Sequence, residues 1–186
     1  MAVHASAFSF KNRGCLLIGE PNSGKSTILL SACMKHKSSF VSDDVSVINQ
    51  DNRLIYPFYR PVGIRSGSFS LISDIPEENY KVVEIDDVRK IMVSPSVLPI
   101  ELKKEPLRID FVFFLNSRGC ERINIDQCNS KESYKRFMRN MHVGSIYESD
   151  FTSVFNNTKF YTSSYSLNVI DKLTEEIMQI IKNENK

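Results

Sequence analysis

The clearest chemistry in this chain lies in Gly19-Glu20-Pro21-Asn22-Ser23-Gly24-Lys25-Ser26-Thr27. The stretch fits G-x-x-x-x-G-K-[ST], the phosphate-binding loop pattern, at Gly19, Gly24, Lys25 and Ser26. Glycines there let the backbone curl so that successive N–H groups point inward, and a helix beginning at the loop adds partial positive charge. Lys25 would reach the β- and γ-phosphates, and Ser26 can ligate Mg²⁺. The second chemical feature is Asp43-Asp44, which begins 18 residues beyond Lys25. One of these carboxylates can hold Mg²⁺ directly or through water, while the other accepts a proton from an attacking hydroxyl. The competing reading is a polar strand end making a turn, since Asp favours turns. Against that reading stands the cost of burying an unpaired carboxylate, because Asp43 falls where an apolar face would want Val.

These residues need elements that position them. Gly14-Cys15-Leu16-Leu17-Ile18 reads as a buried strand before the loop. Ile28, Leu29, Ala32 and Cys33 fall on one face of a helix after it, running to about Lys37. Residues 2–10 alternate as a strand, and the Asn/Gly-type turn at Lys11-Asn12-Arg13-Gly14 suggests a hairpin into the next strand. Phe40–Ile48 reads as one strand, with Val41, Val45 and Val47 on a face that Asp43 interrupts. In an open α/β sheet, ligands lie beyond the carboxyl ends of strands. If pairing ends near Asp43, at least one of the two acids therefore faces the triphosphate, and strand alternation gives them different jobs.

From Asn49 to about Pro106 the chain is proline-studded, with short β pieces expected at Arg53–Tyr56, Tyr80–Ile85 and Ile91–Val93. Leu107–Leu115 is the most apolar run and suits a central strand buried on both faces. A further strand is expected at Glu121–Ile125. A helix capped by Ser130 should carry Tyr134, Phe137, Met138 and Met141 as core packing. A short helix near Ser149–Phe155, a strand at Lys159–Ser163 and an amphipathic helix through Leu173, Ile177, Ile180 and Ile181 complete the chain. The expectation is one α/β domain over residues 1–186, with a mostly buried sheet.

Composition narrows the function. With 24 Lys plus Arg against 22 Asp plus Glu, the net charge of +2 argues against a nucleic-acid-wide basic surface. Cys15, Cys33, Cys120 and Cys128 show no C-x-x-C spacing, so metal or disulfide use is the minority reading and a reducing cytosol the expected compartment. No apolar run approaches a membrane span, and no signal pattern opens the chain, so a cytoplasmic protein without membrane partners is expected.

Four ordered segments carry a resemblance: Val3-His4-Ala5-Ser6, Gly14–Gly19, Gly24-Lys25-Ser26-Thr27 and Phe40-Val41-Ser42-Asp43-Asp44-Val45. Together they resemble the HPr kinase/phosphorylase superfamily, serine kinases with the phosphoenolpyruvate carboxykinase-like P-loop fold, a mixed sheet flanked by helices. The resemblance is close over about the first fifty residues. Beyond them, Tyr59–Arg65 and Phe114–Gly119 are similar to segments of smaller HPr-kinase-like proteins. Some of those are encoded beside ribosomally made peptides, including lasso peptides, and phosphorylate a serine of the precursor. The resemblance implies an ATP- and Mg²⁺-dependent kinase acting on a peptide or protein that bears an acceptor serine. It places His4 near the transferred phosphate and makes Gly19–Thr27 the β-phosphate cradle. It makes Asp43 the base and has Asp44 assist at the metal or the phosphate. Arg60, Arg65 and Arg118 are candidates for clamping phosphate or an acidic acceptor, and Glu84 is one option for the family's downstream Mg²⁺-binding glutamate. Homo-oligomers are common in that family. Against full-length HPr kinases, the expectation from this sequence is a kinase domain without their N-terminal domain, and no basic C-terminal loop linked to dephosphorylation is identifiable in it. A nucleotide-binding regulatory module, or a small-molecule phosphotransferase of the same fold, also accommodates the loop.

Overall fold

The computed structural model describes residues 1–85, 88–117 and 122–184. In chain order the strands and helices are β1 (Ala2–Val3), β2 (Ala5–Phe10), β3 (Arg13–Gly19), α1 (Lys25–His36), β4 (Ser39–Ser42), β5 (Ser46–Asn49), β6 (Leu54–Tyr56) and β7 (Val62–Arg65). There follow β8 (Tyr80–Ile85), β9 (Val88–Val93), β10 (Glu101–Leu102), β11 (Leu107–Asn116), β12 (Asn124–Gln127), α2 (Ser130–Met138), β13 (Met141–Val143), α3 (Glu148–Val154), β14 (Lys159–Ser164) and α4 (Ile170–Asn183). The fold is α/β, with a mixed sheet flanked by helices.

The sheet runs β10-β4-β2-β3-β11, and β11 pairs again with β14, which pairs with β12. The first residues of β11 also pair with β6, from which the sheet continues through β5 and β1 to β13. The hairpin of β2 and β3 forms through Lys11 and Asn12, both at positive φ (50° and 62°), as a two-residue turn compatible with strand twist requires. β3, β11 and β14 are parallel to one another, while β2 is antiparallel to both β3 and β4. This arithmetic of directions matters for function. The start of β2 and the ends of β3, β4, β11 and β14 all lie at one rim of the sheet.

β11 is buried on both faces, as its apolar run predicts. Phe111, Phe113 and Leu115 join Leu17, Leu29 and Ile177 beneath α1 and α4. Val112 and Phe114 face the opposite way, with Leu16, Phe137, Phe151 and Phe160, under α2 and α3. At about 1.5–3 kcal/mol for each fully buried large apolar side chain, these two clusters hold the rim rigid. A separate antiparallel sheet, β7-β9-β8, lies beside α1, and its Val62, Ile64, Ile91 and Val93 join the first cluster.

Several elements differ from the sequence reading. The first expected strand is interrupted at His4, because β1 leaves the β2 sheet to pair with β5 and β13. The strand expected over Phe40–Ile48 is two strands in different parts of the sheet, joined by Asp43-Asp44-Val45. Asp44 takes φ 66°, a left-handed conformation that Asp tolerates, and the break reverses the alternation so that Ser46 and Ile48 are buried rather than Val45 and Val47. The cap of α2 is Asn129, whose side-chain oxygen accepts from Glu132 N at 2.9 Å, and not Ser130. Met141 belongs to β13 rather than to that helix. The expected strand at Glu121–Ile125 is seen at Asn124–Gln127, and β7 was not expected. Cys15 and Cys33 are free and buried, Cys128 is free and half-buried, and Cys120 lies outside the described residues.

Candidate active site

Three segments reach the shared rim. β3 ends at Gly19 and releases the Gly19–Thr27 loop, which turns directly into α1. Asn22 and Gly24 take positive φ, 68° and 86°, the alternation that curls a backbone around an anion. Gly24 suits this left-handed backbone, and a Cβ there would lie 2.2 Å from Ile170 Cδ1, so that the end of the Ile170 side chain would have to move. The first turn of α1 carries no acidic residue, leaving its N-terminal partial charge uncompensated.

Lys25 is almost completely buried and folds back on the loop. Its Nζ donates to the carbonyls of Gly19 at 2.7 Å and Glu20 at 3.0 Å. Burial pulls its pKa down to about 8, against the opposing pull of Asp43 and Asp44. Ser26 Oγ lies 2.9 Å from each carboxylate oxygen of Asp43, to which Ser6 of β2 also donates. Asp43 is 3% exposed, and this burial raises its pKa even though Ser6 and Ser26 partly offset it. Asp44 has the opposite character. Its side chain is 59% exposed, 3.5 Å from Arg60 Nη1 and 3.9 Å from His4 Nε2. His4 is held by its own backbone N–H, which donates to Asn140 O at 2.7 Å, and its ring stands 5.1 Å from that of His142. Burial and then Lys25 lower the His4 pKa, so the imidazole is neutral near pH 7.

Lys25, Ser26, Asp43, Asp44 and His4 therefore line one cavity of about 510 Å³, a volume that suits a nucleotide-sized ligand. Pro21, Asn22, Gly24 and Thr27 contribute to the same cavity, while Gly19, Glu20 and Ser23 do not line it. Arg60 and Arg65 also reach it. Arg118 lies outside the described residues. Glu84 is not brought to the cavity; it stands on β8 opposite Arg89.

Sequence reasoning missed three supports. Ser6 holds Asp43 from the neighbouring strand. Ser68 shares a 2.7 Å hydrogen bond with Thr27 Oγ1, closing the cavity on the β7 side. Tyr165, fully buried just after β14, donates its hydroxyl to the carbonyl of Ser23 inside the loop. No local signal marks Tyr165; its position follows only from β14 running parallel to β11, whose Asn116 carbonyl accepts from Tyr165 N. Among the described residues no three His, Cys, Asp or Glu side chains form a metal cage.

No family model and no curated protein matches this sequence. Among solved structures the chain is similar to the HPr(Ser) kinase/phosphatase from Coxiella burnetii, at 13% identity and a TM-score of 0.49, over 99% of this chain and 97% of that one. A likeness at that level carries no argument about activity, and the function rests on the cavity itself. No helix among the described residues is long and apolar enough to cross a membrane.

Proposed function

We propose that the protein is a kinase that transfers the γ-phosphoryl group of ATP, with Mg²⁺, to the serine hydroxyl of a peptide or protein. The observation that carries this reading is the pairing of the Gly19–Thr27 loop with two carboxylates of opposite character, one clasping Ser26 and one exposed to the cavity. Binding alone needs the loop; a solvent-accessible carboxylate beside it is what transfer needs in addition.

The residues present fit the nucleotide and its metal. The positive-φ residues Asn22 and Gly24 and the acid-free first turn of α1 offer a phosphate inward-facing N–H groups and partial positive charge. Ser26 and Asp43 offer the hard oxygen donors that Mg²⁺ takes, and a bound Mg²⁺ would neutralise phosphate charge. Lys25 holds the β- and γ-phosphates once it releases the two loop carbonyls. The geometry favours exchanging the two roles that the family resemblance implies for the aspartates. Asp43 is sealed in and committed to Ser6 and Ser26, which suits holding Ser26 and the metal. Asp44 can meet an incoming hydroxyl and take its proton, with neutral His4 and Arg60 fixing its orientation.

The test is mass spectrometry of a peptide or protein encoded beside this gene, incubated with the enzyme, ATP and Mg²⁺. A single phosphate should appear on serine. Asp44→Asn should lower the rate by roughly 10²–10⁴-fold with ATP binding retained, the contribution of a general base. Asp43→Asn should instead shift the Mg²⁺ dependence. Transfer unaffected by Asp44→Asn would return the base to Asp43. ATP binding with no transfer to any acceptor would make the protein a nucleotide-binding regulatory module.

A further inference from the structure

Across the antiparallel pair of β7 and β9, Arg65 stands directly opposite Lys90. Like charges in that position repel and destabilise a sheet. The arrangement is not confined to two residues. The face of this sheet that turns away from the core carries Gly63 and Arg65 on β7 and Met92 and Lys90 on β9, with Lys81 opposite Met92 on β8. Its described residues include no Asp or Glu. Arg65 and Lys90 are both half-buried, and both line the cavity opposite the phosphate loop, so this is not a fully solvated charge run. No carboxylate among the described residues pairs with either one. Arg60, by contrast, already has Asp44.

We propose that Arg65 and Lys90 form an anion subsite separate from the Gly19–Thr27 cradle, which receives a phosphate or carboxylate group of a ligand in the same cavity. A planar guanidinium fork and a neighbouring ammonium are a suitable pair for such a group, and the anion cancels the repulsion between them. The group has two sources: the nucleotide's own phosphates, or an acidic group on the molecule that accepts the phosphoryl. The subsite rests on the cavity and not on transfer. A protein that transfers nothing still tests it.

The experiment compares wild type with Arg65→Gln/Lys90→Gln, by thermal unfolding with and without inorganic phosphate and by calorimetry with ATP. Lys90→Gln alone serves if the double variant folds poorly. Without anion the double variant should unfold at the same temperature as wild type or higher, since a repulsion has gone. If the source is the nucleotide, ATP affinity should fall about tenfold, the loss of one charge-assisted contact, with no effect of phosphate on ATP-saturated wild type. If the source is a second molecule, ATP affinity should hold, and phosphate should stabilise the ATP-saturated wild type but not the ATP-saturated variant. Equal ATP affinity and equal phosphate response in both proteins would overturn the proposal. So would a lower unfolding temperature with unchanged anion responses, which would make the pair structural.

Discussion

The two walls of the cavity are built on opposite principles. On the wall made by the loop, α1 and the β4–β5 junction, the polar groups are mostly spoken for: Lys25 by loop carbonyls, Asp43 by two serines, the Ser23 carbonyl by Tyr165. On the wall made by β7 and β9, one side of the sheet is tied into the core by Val62, Ile64, Ile91 and Val93, while the other presents Arg65 and Lys90 with no acidic partner among the described residues. The first wall is preorganised at the expense of stability, with a lysine and an aspartate both held away from their usual pKa values. The second wall spends nothing on the folded state beyond like-charge repulsion. Substitutions in the first wall should therefore alter function and stability together, and those in the second should alter binding alone.

After Asp44→Asn, Lys25→Ala gives the largest expected effect. It removes the cation that would track the transferring phosphate, and loss of one such electrostatic group lowers kcat/KM by about 10²–10³-fold. Steady-state kinetics on the identified acceptor checks it. A loss of less than tenfold would show that the two walls share the phosphate charge and that the contrast between them is false.

Gly24→Ala comes next, because it strikes the first wall where α4 meets the loop. The new Cβ meets Ile170 Cδ1 and sits on a backbone at φ 86°. The variant should lose about 1–3 kcal/mol of stability in denaturant unfolding, the range for a strained left-handed residue plus a clash. Ile170→Ala in the same chain separates the two causes. Recovery of part of the loss assigns that part to the clash, and the remainder is backbone strain. Tyr165→Phe should cost about 1 kcal/mol, one internal hydrogen bond, and weaken ATP binding a few-fold. On β8, outside both walls of the cavity, Lys81→Gln should stay within about 0.5 kcal/mol of wild type.

The same contrast explains what could be read before the fold was known. The loop, its helix and the buried strands were legible because each depends on neighbours within a few residues: Gly24 before Lys25, Ile28 and Leu29 on one helix face, Phe111 to Leu115 as an unbroken apolar run. The expected α/β class followed from them. His4 and Asp43-Asp44 were legible as chemistry but not as geometry. Both stand where a strand passes from one part of the sheet to another, and alternation alone carried the reading straight through the break. Ser6, Tyr165 and the pair of Arg65 with Lys90 depend on strand neighbours up to 142 residues apart in sequence, as Tyr165 and Ser23 are. No local pattern encodes such neighbours.

The smallest effect expected is also the most diagnostic of the first wall. Lys25 titrates near pH 8 in the folded protein against 10.5 as a free side chain, chiefly because it is buried. Between those values the unfolded chain binds the proton and the folded chain does not, so stability rises with pH through that window. Triphosphate binding has the opposite sign. It needs the ammonium, so the apparent Kd should rise about twofold between pH 7 and pH 8 and more steeply above, as the charged fraction falls. Calorimetry of ATP binding at pH 8 in buffers of different ionisation enthalpy should reveal proton uptake by the protein. That uptake should vanish in Lys25→Ala and persist in Arg65→Gln/Lys90→Gln. Uptake that instead disappears with the second pair would place the coupled proton on the wall of β7 and β9, and the division between a strained wall and a relaxed one would fall.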